Sequence, residues 1–150
     1  MSTVVRVSEA ASLGLHTMAF LAAHPDGRFS AKQIAEIHHV SEAHLSKVLQ
    51  RLAKVGLVNS ARGPKGGFRL GGPADEISLL DVYEAIDGPL RPTTCLFGTP
   101  ICDGRACIMA DVLKRVNEET NRYLTQTTVA DAANAYLGEG ADDSENREDR

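Results

Sequence analysis

Apolar residues recur at helical spacing along much of the chain. In residues 8–23, Leu15, Met18, Ala19 and Ala22 fall on one face, and Ser8 stands where a capping hydroxyl belongs. His24-Pro25-Asp26-Gly27 marks a turn. Residues 31–38 follow Ser30, with Gln33 at the third helical position, so the pair predicts a capping box. After a break at His39-Val40, Ser41 heads a third helix, 42–55. Leu45, Val48, Leu49 and Leu52 point inward there, and Lys47, Gln50, Arg51 and Lys54 outward. Gly56 closes it. Two short strands, 57–60 and 68–70, flank the glycine-rich basic turn Ala61-Arg62-Gly63-Pro64-Lys65-Gly66-Gly67. A fourth helix, 78–87, buries Leu79, Val82, Tyr83 and Ile86 and stops at Gly88-Pro89.

Beyond position 88 the pattern changes. Residues 89–106 hold prolines, glycines and two cysteines, too long and irregular a stretch for a plain connector. A long helix, 106–126, then places Ile108, Val112, Leu113, Val116 and Tyr123 on its apolar face, and a last helix, 128–137, packs on it. Residues 138–150 are nearly devoid of apolar side chains and are expected to be disordered. The predicted fold is mainly α. A winged helix-turn-helix occupies residues 1–88, a cysteine-containing loop 89–106, dimerisation helices 107–137 and an acidic tail 138–150.

Charge changes this picture only when it is located. The net charge of −4 over 150 residues argues against a nucleic-acid partner, but the tail from 138 onward carries all of it. Residues 28–70 hold eight bases and only two acids, Glu36 and Glu42. A basic block inside a neutral body is the footprint of a phosphate-facing surface. In a helix-turn-helix the second helix enters the major groove and its first residues reach base edges. Here those are Ser41, His44, Ser46 and Lys47, with Arg51 one turn further on. Arg62, Lys65 and Arg69 charge the wing, and an arginine on a thin loop suits a minor groove. Glycines at the tip let it approach a phosphate strand closely.

The cysteines form a second signal. All three, Cys95, Cys102 and Cys107, fall within thirteen residues, in the least regular part of the body. An odd number excludes a complete disulfide framework, and thiolates bind iron–sulfur clusters and zinc. The histidines read as surface or packing residues. No catalytic triad, phosphate loop or paired-carboxylate cleft is evident, so an enzyme is not expected. The longest apolar run falls well short of the roughly 20 residues that cross a bilayer. The first six residues lack the apolar core of a secretory signal, which predicts a cytoplasmic protein.

Residues Gly56 to Leu70 follow the pattern G-L-V-x-S-x-R-G-x-x-G-G-[YF]-x-L throughout. The sequence there resembles the bacterial winged-helix transcriptional regulators of the IscR/NsrR/CymR family. Ser41-Glu42-Ala43-His44-Leu45 resembles the start of that family's recognition helix, and residues 77–88 the helix after its wing. The resemblance covers about residues 8–137. It implies a homodimer joined through helix 106–126, binding a near-palindromic double-stranded DNA operator, with repression as the expected outcome. It also implies that Cys95, Cys102 and Cys107 match the family's cluster-binding cysteines and carry a [2Fe–2S] or [4Fe–4S] cluster that senses iron–sulfur, redox or nitric oxide status. Ala110 stands where some members place a histidine ligand, and Ser12 aligns where others place an acid from the partner's first helix. Glu9 is the nearby acid expected to serve as fourth ligand. Two other readings stay open: a cluster-free regulator of the same fold that binds a small metabolite between the wing domain and the dimer helix, and a thiol-redox or cluster-carrier protein.

Overall fold

The computed structural model describes residues 5–97 and 99–137; the predicted acidic tail lies outside them. The first helices start where their hydroxyls dictate. Ser8 Oγ accepts the Ala11 N–H at 2.9 Å and opens α1, Glu9–Ala23. Ser30 and Gln33 close a reciprocal capping box at the head of α2, Ala31–Ile37. Ser41 Oγ accepts from His44 N–H at 3.1 Å and opens α3, Glu42–Lys54. Each bond satisfies one of the amide donors that a helix start leaves without a partner. Met18 and Leu21 of α1, Ile34 of α2 and Leu45, Leu49 and Leu52 of α3 interlock as fully buried side chains.

Strands β1, Val58–Ala61, and β2, Gly67–Leu70, pair antiparallel with Val58 opposite Leu70 and Ala61 opposite Gly67. A third piece of backbone joins them. Phe29 N–H donates to Phe68 O at 3.1 Å and Phe68 N–H returns to Phe29 O at 2.7 Å. The wing is therefore tied to the turn between α1 and α2, a contact across some forty residues that local pattern does not predict.

A 3₁₀ turn, Ala74–Glu76, leads to α4, Leu79–Asp87, which Ser78 and Asp81 cap as a second box. α4 lies against α1 at Gly14, where an added Cβ would sit 3.2 Å from Ile86 Cγ1 and 3.6 Å from Val48 Cγ1. Three helices thus meet at Ile86. The long helix α5 is Ala110–Gln126, four residues shorter at its start than the apolar pattern predicts. Its N-cap position is Met109, which offers no capping oxygen, and Ile108 lies outside the helix and 96% exposed. The end of α5 returns to the winged domain: Leu79 N–H donates to Thr127 O at 2.9 Å and Val129 N–H to Ile77 O at 2.8 Å. The predicted last helix is two short ones, α6, Val129–Ala132, and α7, Asn134–Leu137, separated at Ala133. No described helix is long and apolar enough to cross a membrane.

Candidate nucleic-acid interface and cysteine loop

The inward stripe of α3 leaves a polar face in solvent. Ser41 and Lys47 are exposed on it, and His44 and Ser46 are half-buried at its edge. Ser41 has its hydroxyl engaged in capping, so its contribution to a groove surface is a fixed helix start. The wing projects Arg62 and Lys65 from its tip, both exposed, while Arg69 points outward from β2 opposite Asn59. Among the described residues no carboxylate pairs with Lys47, Arg62, Lys65 or Arg69; the ion pairs lie elsewhere, on residues 103–122. Cations held on a rigid surface without an internal counter-charge are free to neutralise phosphates.

Arg51 is different. Its Nη1 donates to Ile86 O at 3.0 Å, across to the last turn of α4, so the guanidinium of this otherwise exposed residue has a partner within the domain. Gly66 and Gly67 serve the fold of the wing. A Cβ on Gly66 would lie 2.2 Å from Ala61 O, and one on Gly67 would lie 2.8 Å from Phe29 backbone atoms. The wing's own closure and its tie to Phe29 require these glycines.

The loop after α4 is held at its entrance. Gly88, with φ of 80°, ends the helix. Leu90 N–H donates to Glu84 Oε1 at 3.0 Å. The Asn117 side-chain amide clasps Thr93 from both sides, accepting from its N–H at 3.1 Å and donating to its carbonyl at 2.8 Å. Beyond this clasp the side-chain hydrogen bonds among the described loop residues are local. Phe97 N–H donates to Cys95 Sγ at 3.4 Å, and Arg105 turns back on Asp103. Cys95 and Cys107 are half-buried, Cys102 is exposed, and all three are free thiols. Among the described residues no three His, Cys, Asp or Glu side chains come together as a metal-holding group. The donor types suit a cluster, but the loop as folded does not gather them into one group among the described residues. Glu9 is exposed in the first turn of α1 and joins no such group.

Several residues that bind elements together were not legible as functional. Asp87, the last residue of α4, accepts from Ser8 N–H at 3.1 Å and Ser8 Oγ–H at 2.5 Å, fixing the start of α1. Beside it opens a cleft of about 1070 Å³ between the N-terminal segment, the end of α4 and α5. Arg6, Arg91, Asp87 and Glu118 give it both charge signs, and Tyr83 and Leu90 give it apolar wall. The Tyr83 hydroxyl donates to Arg6 O at 3.0 Å, and burial, then the Asp87 charge, holds that phenol above its ordinary pKa. The sequence carries no signal for these pairings, which join residues up to 79 apart.

Comparison with known proteins agrees with this architecture. The family model Rrf2, described as iron-dependent transcriptional regulator, matches residues 7–135. The global cysteine regulator CymR (YrzC) of B. subtilis is 28% identical, with a TM-score of 0.74, and the match covers 87% of this chain and 98% of that one. The oxidized form of Staphylococcus aureus CymR is 28% identical at a TM-score of 0.70, covering 86% and 96% of the two chains. T. potens IscR is 28% identical at a TM-score of 0.67, covering 88% of each.

Proposed function

The chain belongs to the Rrf2 family of transcriptional regulators, and from that premise we propose that it binds a near-palindromic double-stranded operator as a homodimer and that its three-cysteine loop is the sensing element. The observation that carries the DNA-binding part is the set of unpaired cations, Lys47 on the recognition helix and Arg62, Lys65 and Arg69 on the wing, with His44 and Ser46 at the groove-facing end of α3. Two such surfaces related by a two-fold axis meet successive major grooves about 34–36 Å apart. A dimer seated on promoter DNA excludes other proteins from it, so repression is the expected sign.

The sensing part rests on chain order. The loop with Cys95, Cys102 and Cys107 enters directly from α4 and runs directly into α5. Three thiolates and one further donor suit a [2Fe–2S] or [4Fe–4S] cluster, which supplies one-electron redox chemistry when bound. Holding it requires the loop to close, since among the described residues the thiols form no metal-holding group. Glu9, from the partner subunit, is the proposed fourth donor. The test is iron and sulfide per chain in protein made and purified without oxygen, beside Cys102→Ala and Glu9→Ala. Iron-bearing wild type and iron-free Cys102→Ala are expected. Iron-free wild type from cluster-competent cells overturns the cluster, and colour retained in Glu9→Ala discards that residue alone.

The cleft beside Asp87 favours a second reading, a cluster-free regulator. Its paired charge signs suit an amphoteric metabolite such as an amino acid. Operator affinity that responds to an added amino acid, and not to thiol alkylation, would select this reading over the first.

A further inference from the structure

We propose that Arg51 is the positioning residue that couples the cysteine loop to the recognition helix, and is not itself a DNA contact. This deepens the operator-binding reading above and rests on it.

Arg51 lies one turn beyond Lys47 on the same helix face, where charge alone assigns it to phosphate. Its guanidinium instead donates to Ile86 O at 3.0 Å, in a partly buried contact. The last carbonyls of a helix lack internal partners and carry the negative end of its dipole. A guanidinium placed there makes a charge-assisted bond, the stronger kind. Among the described residues, Lys47, Arg62, Lys65 and Arg69 have no comparable side-chain partner. Within the basic block, Arg51 is thus set apart by geometry.

What lies behind Ile86 gives the bond its meaning. The Ile86 side chain is buried where α1, α3 and α4 meet, against Gly14. The next residue, Asp87, holds both the amide and the hydroxyl of Ser8. Gly88 then turns the chain into the loop, Leu90 is tied back to Glu84, and Thr93 is clasped by Asn117. Cys95 follows two residues later. From Ile86 to Thr93 the chain is therefore tied by hydrogen bonds at Ile86, Asp87, Leu90 and Thr93, and the first cysteine follows on that tied segment. A hydrogen bond of this length tolerates only tenths of an ångström before it weakens. Loop closure that drags the end of α4 must move α3 with it or break the Arg51 bond. While the bond holds, that movement changes how α3 sits in a groove.

Coupling of this kind is reciprocal. If the loop sets DNA affinity, bound DNA must alter the loop. The experiment uses the full chain and a duplex selected in vitro for wild-type binding. Two quantities are measured for wild type, Lys47→Gln, Arg51→Gln and Arg51→Lys: the dependence of affinity on salt, and amide exchange in residues 84–95 with and without DNA. Lys47→Gln is expected to lower the salt slope by about 1, as loss of one phosphate contact does, and Arg51→Gln to leave it unchanged. DNA should change wild-type exchange in 84–95 by about fivefold or more, an effect absent in Arg51→Gln and partly kept in Arg51→Lys. Arg51→Lys retains charge near the helix end, which guards against a folding defect being read as lost coupling. A salt slope reduced in Arg51→Gln as in Lys47→Gln overturns the proposal. So does an exchange response equal in Arg51→Gln and wild type, or absent in wild type. Failure of the wild type to select any duplex sinks the operator-binding reading itself, and the proposal with it.

Discussion

Gly67 sits where β2 passes the backbone of Phe29, with φ of +125°. That conformation strains any L side chain, and here a Cβ also meets backbone atoms that cannot rotate away. Gly67→Ala is expected to cost about 2–4 kcal/mol in denaturant unfolding, combining backbone strain with overpacking. A loss under about 0.5 kcal/mol, the scale of an ordinary surface change, would contradict this reading. His38 makes a second case. It packs among His16, Phe20 and Tyr136, and its Nε2 is buried with no hydrogen-bond partner among the described residues. Burial foremost, then the charges of His16 and His39, lowers its pKa from 6.5. The unfolded chain therefore binds the proton more readily than the folded one. The stability owed to neutral His38 is complete above about pH 6.5 and is lost as pH falls through the lowered folded value. Wild-type Tm should drop between pH 7 and pH 5 more than that of His38→Gln. Identical pH profiles would remove His38 from the account. Neither role is visible in sequence, where Gly67 reads as part of a tip that approaches a phosphate strand and His38 as one histidine of five.

Elements show which inferences travel well. Ser8, Ser30 and Ser41 all head the helices they were expected to head, because a cap is decided within four residues. α5 shows the opposite. Sequence periodicity gathers Ile108, Val112, Leu113, Val116 and Tyr123 into one apolar face. The fold instead buries Leu113, packs Leu124 into the core of the winged domain and leaves Val112 and Tyr123 outside, 38% and 58% exposed. Spacing finds apolar residues but does not say which neighbour each will meet. The wing is the element where motif and geometry agree most fully: the tip carries Arg62 and Lys65 into solvent, and the Phe29 bridge fixes its base. Arg62→Gln and Lys65→Gln are each expected to lower the salt slope of DNA binding by about 1 if they meet phosphates. An Arg62 that reads the minor groove would instead relax sequence preference on substitution. Full affinity in the double variant at every salt concentration would remove the wing from the interface.

At the scale of the molecule, α5 leaves Val112 and Tyr123 uncovered, with Val116 half-buried between them. This stripe is the expected meeting surface of two chains. Covering an apolar side chain of this size contributes about 1.5–3 kcal/mol, and a two-fold axis counts each residue twice. Val112→Asp with Tyr123→Asp should therefore weaken the dimer more than about a hundredfold in sedimentation, with operator affinity falling alongside. A double variant that remains a dimer would place the interface elsewhere. The three cysteines were conspicuous in sequence because their clustering is a matter of chain order. Their separation was not, because convergence of a loop without regular structure depends on contacts such as the Asn117 clasp that no local rule encodes.

The backbone bonds at Thr127 and Val129 pin the far end of α5 to the head of α4, while its near end continues directly from the cysteine loop. A helix of 17 residues spans about 25 Å at 1.5 Å per residue. Were it to tilt about the pinned end as a lever, about 5° would sweep its loop end through about 2 Å. In a symmetric pair the two levers swing together, so their sweeps add across the axis. A loop adjustment too small to unfold anything would thus reset the distance between two reading heads that must both fit one DNA spacing.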